Sequence, residues 1–271
     1  MRTHRFSALG AAGAVLVSAA CIIPVYIDDP WNSPRSSPRL FEKTVPWDRG
    51  GPIAVENPVG DVDIFGWDER EVQISAEWGW DATRGRRIGL FDGRDVPDVD
   101  VDVIDGVLSV RLRRDGREDE SVSPVRFVLN VPRSVDLKEV VVRRGRITVG
   151  DIYGRSRLAV EEGDVRIENY SGSLDISVGR GSAEAEILDL RPEDVVRVAV
   201  RQGSVIVLLE PEVAARIEAE APKGRITSDF DLGPEGQDRK AAAVLGRGPG
   251  AAVTLLSEGG DIRLRKIRDG Y

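Results

Sequence analysis

From Gly50 onward the chain is a succession of short apolar–polar alternations separated by turn residues. Period-two alternation marks a strand with one face buried and the other in water. The stretch PIAVENPVGDVDIFGWDEREVQISAEW predicts three such strands, which bury Ile53 and Val55, then Val62 and Ile64, then Val72, Ile74 and Ala76. DVDVDVIDGVLSVRLRR continues the style, and VRFVLNVP places Val125, Phe127, Leu129 and Val131 on one face. No segment sustains a helical period. EPEVAARIEAE and QDRKAAAVLG are each expected to hold at most one helical turn within a connection.

A second periodicity lies over the first. Gly145, Gly163, Gly181, Gly203, Gly224 and Gly260 align on one template, with spacings of 18, 18, 22, 21 and 36 residues. Five residues before each glycine stands Val140, Leu158, Ile176, Val198, Ala219 or Leu255. Two residues after it stands Ile147, Val165, Ala183, Val205, Ile226 or Ile262. Four residues after it come Val149, Ile167, Ala185, Val207 and Leu264, with Ser228 alone breaking the set. A repeat of this length suits stacked coils, because one coil cannot bury its apolar face alone. The glycine then occupies the corner between two short strands, where the backbone needs permissive dihedrals.

The expected fold is therefore all-β: a right-handed β-helix-like solenoid of short strands with glycine corners, with an antiparallel β-meander or sandwich as the alternative. The last spacing, twice 18, reads as two turns of the same stack. Alternation also sends the Asp164 side chain to solvent.

ISVGRGSAEAEI, VAVRQGSVIV, LSEGGDIRL and VENPVGDVDIFGWDEREVQISAE resemble the bacterial domain of unknown function 4097 (DUF4097), a β-strand-repeat family labelled a candidate adhesin. VRFVLNVPRSVDLKEVVVRRGRITV is similar to that family's passage from an alternating strand into the first glycine repeat. The resemblance covers about residues 50–267. It implies a β-helix-like envelope protein, in some members associated with envelope stress, and it carries over no catalytic residue.

The N-terminus reads as an address. MRTHR is basic, FSALGAAGAVLVSAA is apolar and of signal-peptide length, and Cys21 follows two alanines. This resembles a bacterial lipoprotein signal, with cleavage behind Ala20 and lipidation of Cys21, although Ser18 stands where such signals usually carry leucine. Ordinary cleavage after SAA, or an uncleaved span from Phe6 to Ile27, are the alternatives. All three carry the body out of the cytoplasm. The expected organisation is a signal peptide at 1–20, a Pro/Ser-rich tether at 21–49 and a solenoid at 50–267, with regular repeats from 137.

The inventory of reactive groups narrows the function further. His4, Cys21 and Met1 are the chain's only histidine, cysteine and methionine, so the body offers no imidazole, thiol or thioether. That excludes Ser-His-Asp and Cys-His catalysis, zinc sites of His and Cys, haem, iron–sulfur clusters and structural disulfides. No cofactor is expected. The formal charge is −8, and it becomes −10 once Arg2 and Arg5 are lost with residues 1–20, which argues against a nucleic-acid partner. The partners expected instead are a membrane, reached through lipid on Cys21, and an envelope protein or polysaccharide.

Several motifs invite chemistry and have plainer readings. Asp98, Asp100 and Asp102 share one strand face, yet such a row supplies few converging oxygens for calcium and equally guards a strand edge. Trp67, Trp78 and Trp80 suit a sugar platform or the end of a core. Arg84–Arg87 suits acidic headgroups or a solvated loop. LGRGPG, residues 245–250, lacks the lysine and strand-to-helix setting of a phosphate loop. With 46 acidic residues and no pair singled out, a carboxylate-based polysaccharide enzyme is the weakest function class. A non-catalytic adhesin-like or structural module is the first expectation, and an envelope-stress signalling module is its rival.

Overall fold

The computed structural model describes residues 39–48, 50–78, 98–113, 124–233 and 239–268. Cys21, Trp80, Arg84–Arg87 and the span from Phe6 to Ile27 lie outside them. Among the described residues there are strands and no helix, and hence no helix long and apolar enough to cross a membrane.

The first seven strands are β1 (Arg39–Pro46), β2 (Ile53–Val59), β3 (Val62–Trp67), β4 (Glu71–Trp78), β5 (Asp98–Ile104), β6 (Val107–Arg113) and β7 (Val125–Pro132). The repeat region follows with β8 (Leu137–Arg144), β9 (Ile147–Gly150), β10 (Ser156–Glu162), β11 (Val165–Ser171), β12 (Leu174–Arg180), β13 (Ala183–Asp189), β14 (Val195–Gln202) and β15 (Val205–Leu209). The chain closes with β16 (Ala215–Glu220), β17 (Ile226–Ser228), β18 (Lys240–Leu245), β19 (Ala251–Ser257) and β20 (Ile262–Lys266).

These strands build two ten-stranded sheets, ordered β1-β4-β7-β3-β9-β11-β13-β15-β20-β17 and β18-β16-β19-β14-β12-β10-β8-β2-β6-β5. Within the repeat region consecutive strands belong to opposite sheets, and each pairs in parallel with its counterpart one repeat away. Leu158 thus stands between Val140 and Ile176, and Val165 between Ile147 and Ala183. A meander would pair consecutive strands antiparallel, so the parallel ladders define a two-sheet solenoid. The residues five before and two after each aligned glycine are all buried between the sheets, and of those four after only Ser228 is half-exposed. One coil's aliphatic row continues into the next, so the core is a single column.

Stacking in register also puts like positions side by side, which would set equal charges against one another. The outward rows avoid this. Arg144, Glu162 and Arg180 follow one another across β8, β10 and β12, with Arg180 Nη2 3.0 Å from Glu162 Oε1. Arg157, Asp175 and Arg197 repeat the alternation on β10, β12 and β14.

The ends depart from the sequence reading. The coil β19/β20 is inserted between β14/β15 and β16/β17, so the 36-residue interval from Gly224 to Gly260 is not two successive turns. The chain runs one place too far, reverses through β18, which pairs antiparallel with β16, and returns to fill the vacant position. At the other end β2 and β3 likewise lie between β8/β9 and the later β6 and β7, and β4, β1 and β5 finish the sheets with antiparallel pairing. Two further expectations change. The segments expected to offer helical turns are strands β16 and β18, because each fills a sheet position at the column's end and tertiary pairing outweighs alanine's helical preference. And β1 lies inside the stretch that composition assigns to the tether. Its alternation is masked because the exposed Lys43 shares the strand face of Phe41 and Val45, where it donates to the Val101 carbonyl at 3.1 Å.

Candidate functional site

The aligned glycines form a column at one corner of the solenoid. A Cβ built on Gly163 would overlap the carbonyl oxygen of Gly145, one on Gly181 that of Gly163, and one on Gly203 that of Gly181. The column continues with Gly260 against Gly203 and Gly224 against Gly260, which is the order of the sheets and not of the sequence. Gly163 has φ 138°, and Gly145, Gly181 and Gly203 lie close to it. This turns each Hα toward the neighbouring carbonyl, a weak C–H···O contact where a side chain has no room. Gly60 heads the column and was not in the aligned set: a Cβ on Gly145 would overlap its carbonyl. Val55, Val62 and Ile64 satisfy the same offsets, but the spacing of 85 from Gly60 to Gly145 breaks the period.

The corner also needs a second device. The residue after each glycine turns its N–H away from the ladder, and in three places an aspartate one coil away accepts it. Asp61 Oδ1 takes the Arg146 N–H at 2.9 Å, Asp164 Oδ1 the Ser182 N–H at 2.8 Å, and Asp261 Oδ1 the Arg225 N–H at 2.9 Å. The Asp164 side chain is therefore not simply solvated. It lies along the coil axis because at a corner the strand alternation no longer holds.

On the opposite corner Asn169, at φ 51°, shifts the β11 register and brings Tyr170 into the core. The Tyr170 hydroxyl lies between the carbonyl oxygens of Ser173 and Gly154, at 2.8 and 2.9 Å, and donates to one at a time. Burial raises its pKa well above the usual tyrosine value.

The outer face of the sheet containing β8, β10, β12 and β14 carries a shallow groove of ≈ 640 Å³. It crosses six strands from β2 to β19, roughly 24 Å at the spacing of paired strands. Its floor is a row of small or aliphatic residues, Val141, Ala159, Ser177, Ala199 and Leu256, adjacent across successive strands. Arg143, Glu161 and Arg201 stand along one side, and Arg201 reaches over Gly179. Such a surface offers wide, mixed-charge contact and does not enclose a small molecule.

The remaining candidates separate. Asp98, Asp100 and Asp102 lie on β5, where Arg111 Nη2 is 3.6 Å from Asp102 and its Nε 3.9 Å from Asp100. Among the described residues no three His, Cys, Asp or Glu side chains gather as a metal site. Trp67 is half-buried and donates its indole N–H to the Glu71 carbonyl at 2.9 Å. Trp78 ends β4, and the glycine-rich 246–250 stretch links β18 to β19.

The geometry is that of a parallel two-sheet β-solenoid with antiparallel ends. No family model matches the chain, and no curated protein matches it. Among solved structures it is similar to one described as a candidate cell adhesion protein from Clostridium sporogenes, at 14% identity and a TM-score of 0.49, covering 85% of this chain and 100% of that one. A candidate adhesin from Bacteroides fragilis matches at 12% identity and TM-score 0.34, covering 83% and 97%. A candidate lipid binding protein from Parabacteroides distasonis matches at 10% identity and TM-score 0.29, covering 85% and 97%.

Two outcomes follow from the corner chemistry. Asp164→Ala leaves the Ser182 N–H without its acceptor and should cost about 1–2 kcal/mol in a urea melt, while Asp164→Asn should keep most of the stability. Because the folded state holds the Tyr170 proton more tightly than the unfolded chain, its contribution is whole below about pH 10 and declines as pH rises further. Tyr170→Phe should cost about 1 kcal/mol at neutral pH and lose that alkaline decline, as read from melts on either side of about pH 10.

Proposed function

We propose that this is an exported, lipid-anchored protein of the bacterial cell envelope, a member of the domain of unknown function 4097 group, whose solenoid works as a non-catalytic adhesin-like or structural interaction module. The observation that supports this best is the groove. A floor of small side chains about 24 Å long, bordered by alternating charge, suits an extended polymer or a flat protein face better than a substrate held for chemistry. The N-terminal basic, apolar and Cys21 sequence supports export and anchoring. The net charge of −10 after cleavage directs the partner away from nucleic acid and toward an envelope protein or polysaccharide.

Anchoring is tested on the membrane fraction. Intact-mass measurement should show loss of residues 1–20 and added diacylglyceryl and acyl mass on Cys21. Cys21→Ser should release the protein or leave it unprocessed, and a soluble exported form beginning at an unmodified Cys21 would sink the anchor. The module is tested separately: the chain should co-sediment with isolated envelope fragments without releasing reducing sugar ends. Ser177→Arg with Ala199→Arg, which fills the groove floor, should abolish co-sedimentation. Release of reducing ends would favour the enzyme reading.

A further inference from the structure

A two-sheet solenoid has four lateral edges, each a row of backbone N–H and C=O groups able to pair with another strand. Three edges carry recognisable protection. β1 carries the charged, exposed Lys43 and ends in Pro46, β5 carries Asp98, Asp100 and Asp102, and β17 is three residues long. β18 carries none beyond Lys240 at its start. From Ala241 to Leu245 it is uncharged, and Val244 is 70% exposed. Among the described residues no strand lies beyond it.

The ladder with β16 shows which groups are open. Ala221 N–H donates to the Arg239 carbonyl, and in an antiparallel pair the bonded positions alternate, so Ala241, Ala243 and Leu245 direct their backbone groups to β16. Lys240, Ala242 and Val244 therefore direct theirs away. Their side chains lie on the outer face, while Ala243 and Leu245, half-buried, lie against the end of the core.

We propose that β18 pairs with β18 of a second copy of this chain, antiparallel about a two-fold axis through Ala242. Strands that pair must keep their buried faces on one side, so the axis passes either through Ala242 or through Ala243. Centring on Ala243 would set Arg239 against Arg247 of the second copy. Centring on Ala242 opposes no like charges. It sets Lys240 against Val244 of the second copy and Ala242 against its own equivalent. Every outward N–H and C=O of Lys240, Ala242 and Val244 then finds a partner. The lysine's alkyl stem covers the exposed valine. The alanines let the strands approach, and the half-covered Ala243 and Leu245 gain neighbours across the seam. The pairing joins two solenoids into one continuous sheet, and it does not depend on the fate of Cys21 or on the groove.

The test uses the full chain carrying Cys21→Ser, which removes the only native thiol, purified in mild detergent. In the paired edge the Ala242 Cα atoms are about 5.5 Å apart, within reach of a disulfide, so Ala242→Cys should give cross-linked dimer on gentle oxidation. Glu218→Cys, on the outer face of β16, places its two copies about 14 Å apart and should give at least about tenfold less. Val244→Pro removes an N–H that no bond among the described residues uses, so the circular dichroism should be unchanged while the Ala242→Cys cross-link is lost. Cross-linking of Ala242→Cys no greater than that of Glu218→Cys, or unchanged by Val244→Pro, would overturn the proposal.

Discussion

The close approach of one glycine to the carbonyl of the next sets the dimensions of the molecule. From β8 to β15 each coil leaves one sheet and enters the other through a glycine corner of two residues, and neighbouring coils must stay at strand spacing there as well as in the sheets. At Gly163 that spacing leaves no volume for a Cβ beside the Gly145 carbonyl. If the corner opened to admit one, the ladders on both sides would lose register, and the aliphatic rows through Leu158 and Val165 would lose contact with their neighbours. Core, ladders and corner are thus one constraint, repeated along the axis.

The same constraint explains where polar groups are spent. A corner that turns within so few residues strands the N–H that follows each glycine. Asp61, Asp164 and Asp261 each satisfy the next coil's amide, so a coil carrying the aspartate stands before one that needs it. On the flat faces alternating charges allow in-register stacking without repulsion. The result is a body whose inward apolar rows pack between the sheets and whose outer sheet faces are wide.

The repeat was legible in the sequence because each coil must meet the same two demands: an aliphatic residue at fixed offsets and a glycine at the corner. Both survive variation elsewhere, so six positions aligned without any structure. What sequence could not give was order. Gly260 sits between Gly203 and Gly224 because β18 reverses the chain, and nothing local in AAAVL distinguishes an edge strand from a helical turn. Gly60 was lost for a related reason, since the antiparallel end strands interrupt the period even though Val55, Val62 and Ile64 keep the template. Lys43 hides β1, because a charge on the same strand face as Phe41 and Val45 breaks the very alternation by which strands are recognised. The corner role of Asp164 was invisible because alternation rules apply within strands and fail where a strand ends.

Steric contact along the glycine column can be separated from backbone strain. Gly106, in the β5–β6 turn, has positive φ, 77°, and a Cβ there would meet nothing within 4 Å, whereas Gly260, in the column, has no positive φ and a Cβ there would overlap the Gly203 carbonyl oxygen. Urea melts of Gly106→Ala, Gly260→Ala and Gly163→Ala measure the difference. The expected losses are about 1 kcal/mol for Gly106→Ala, from φ alone, at least about 2 kcal/mol for Gly260→Ala, from overlap alone, and more for Gly163→Ala, which combines them. A loss for Gly260→Ala no larger than for Gly106→Ala would contradict the steric column.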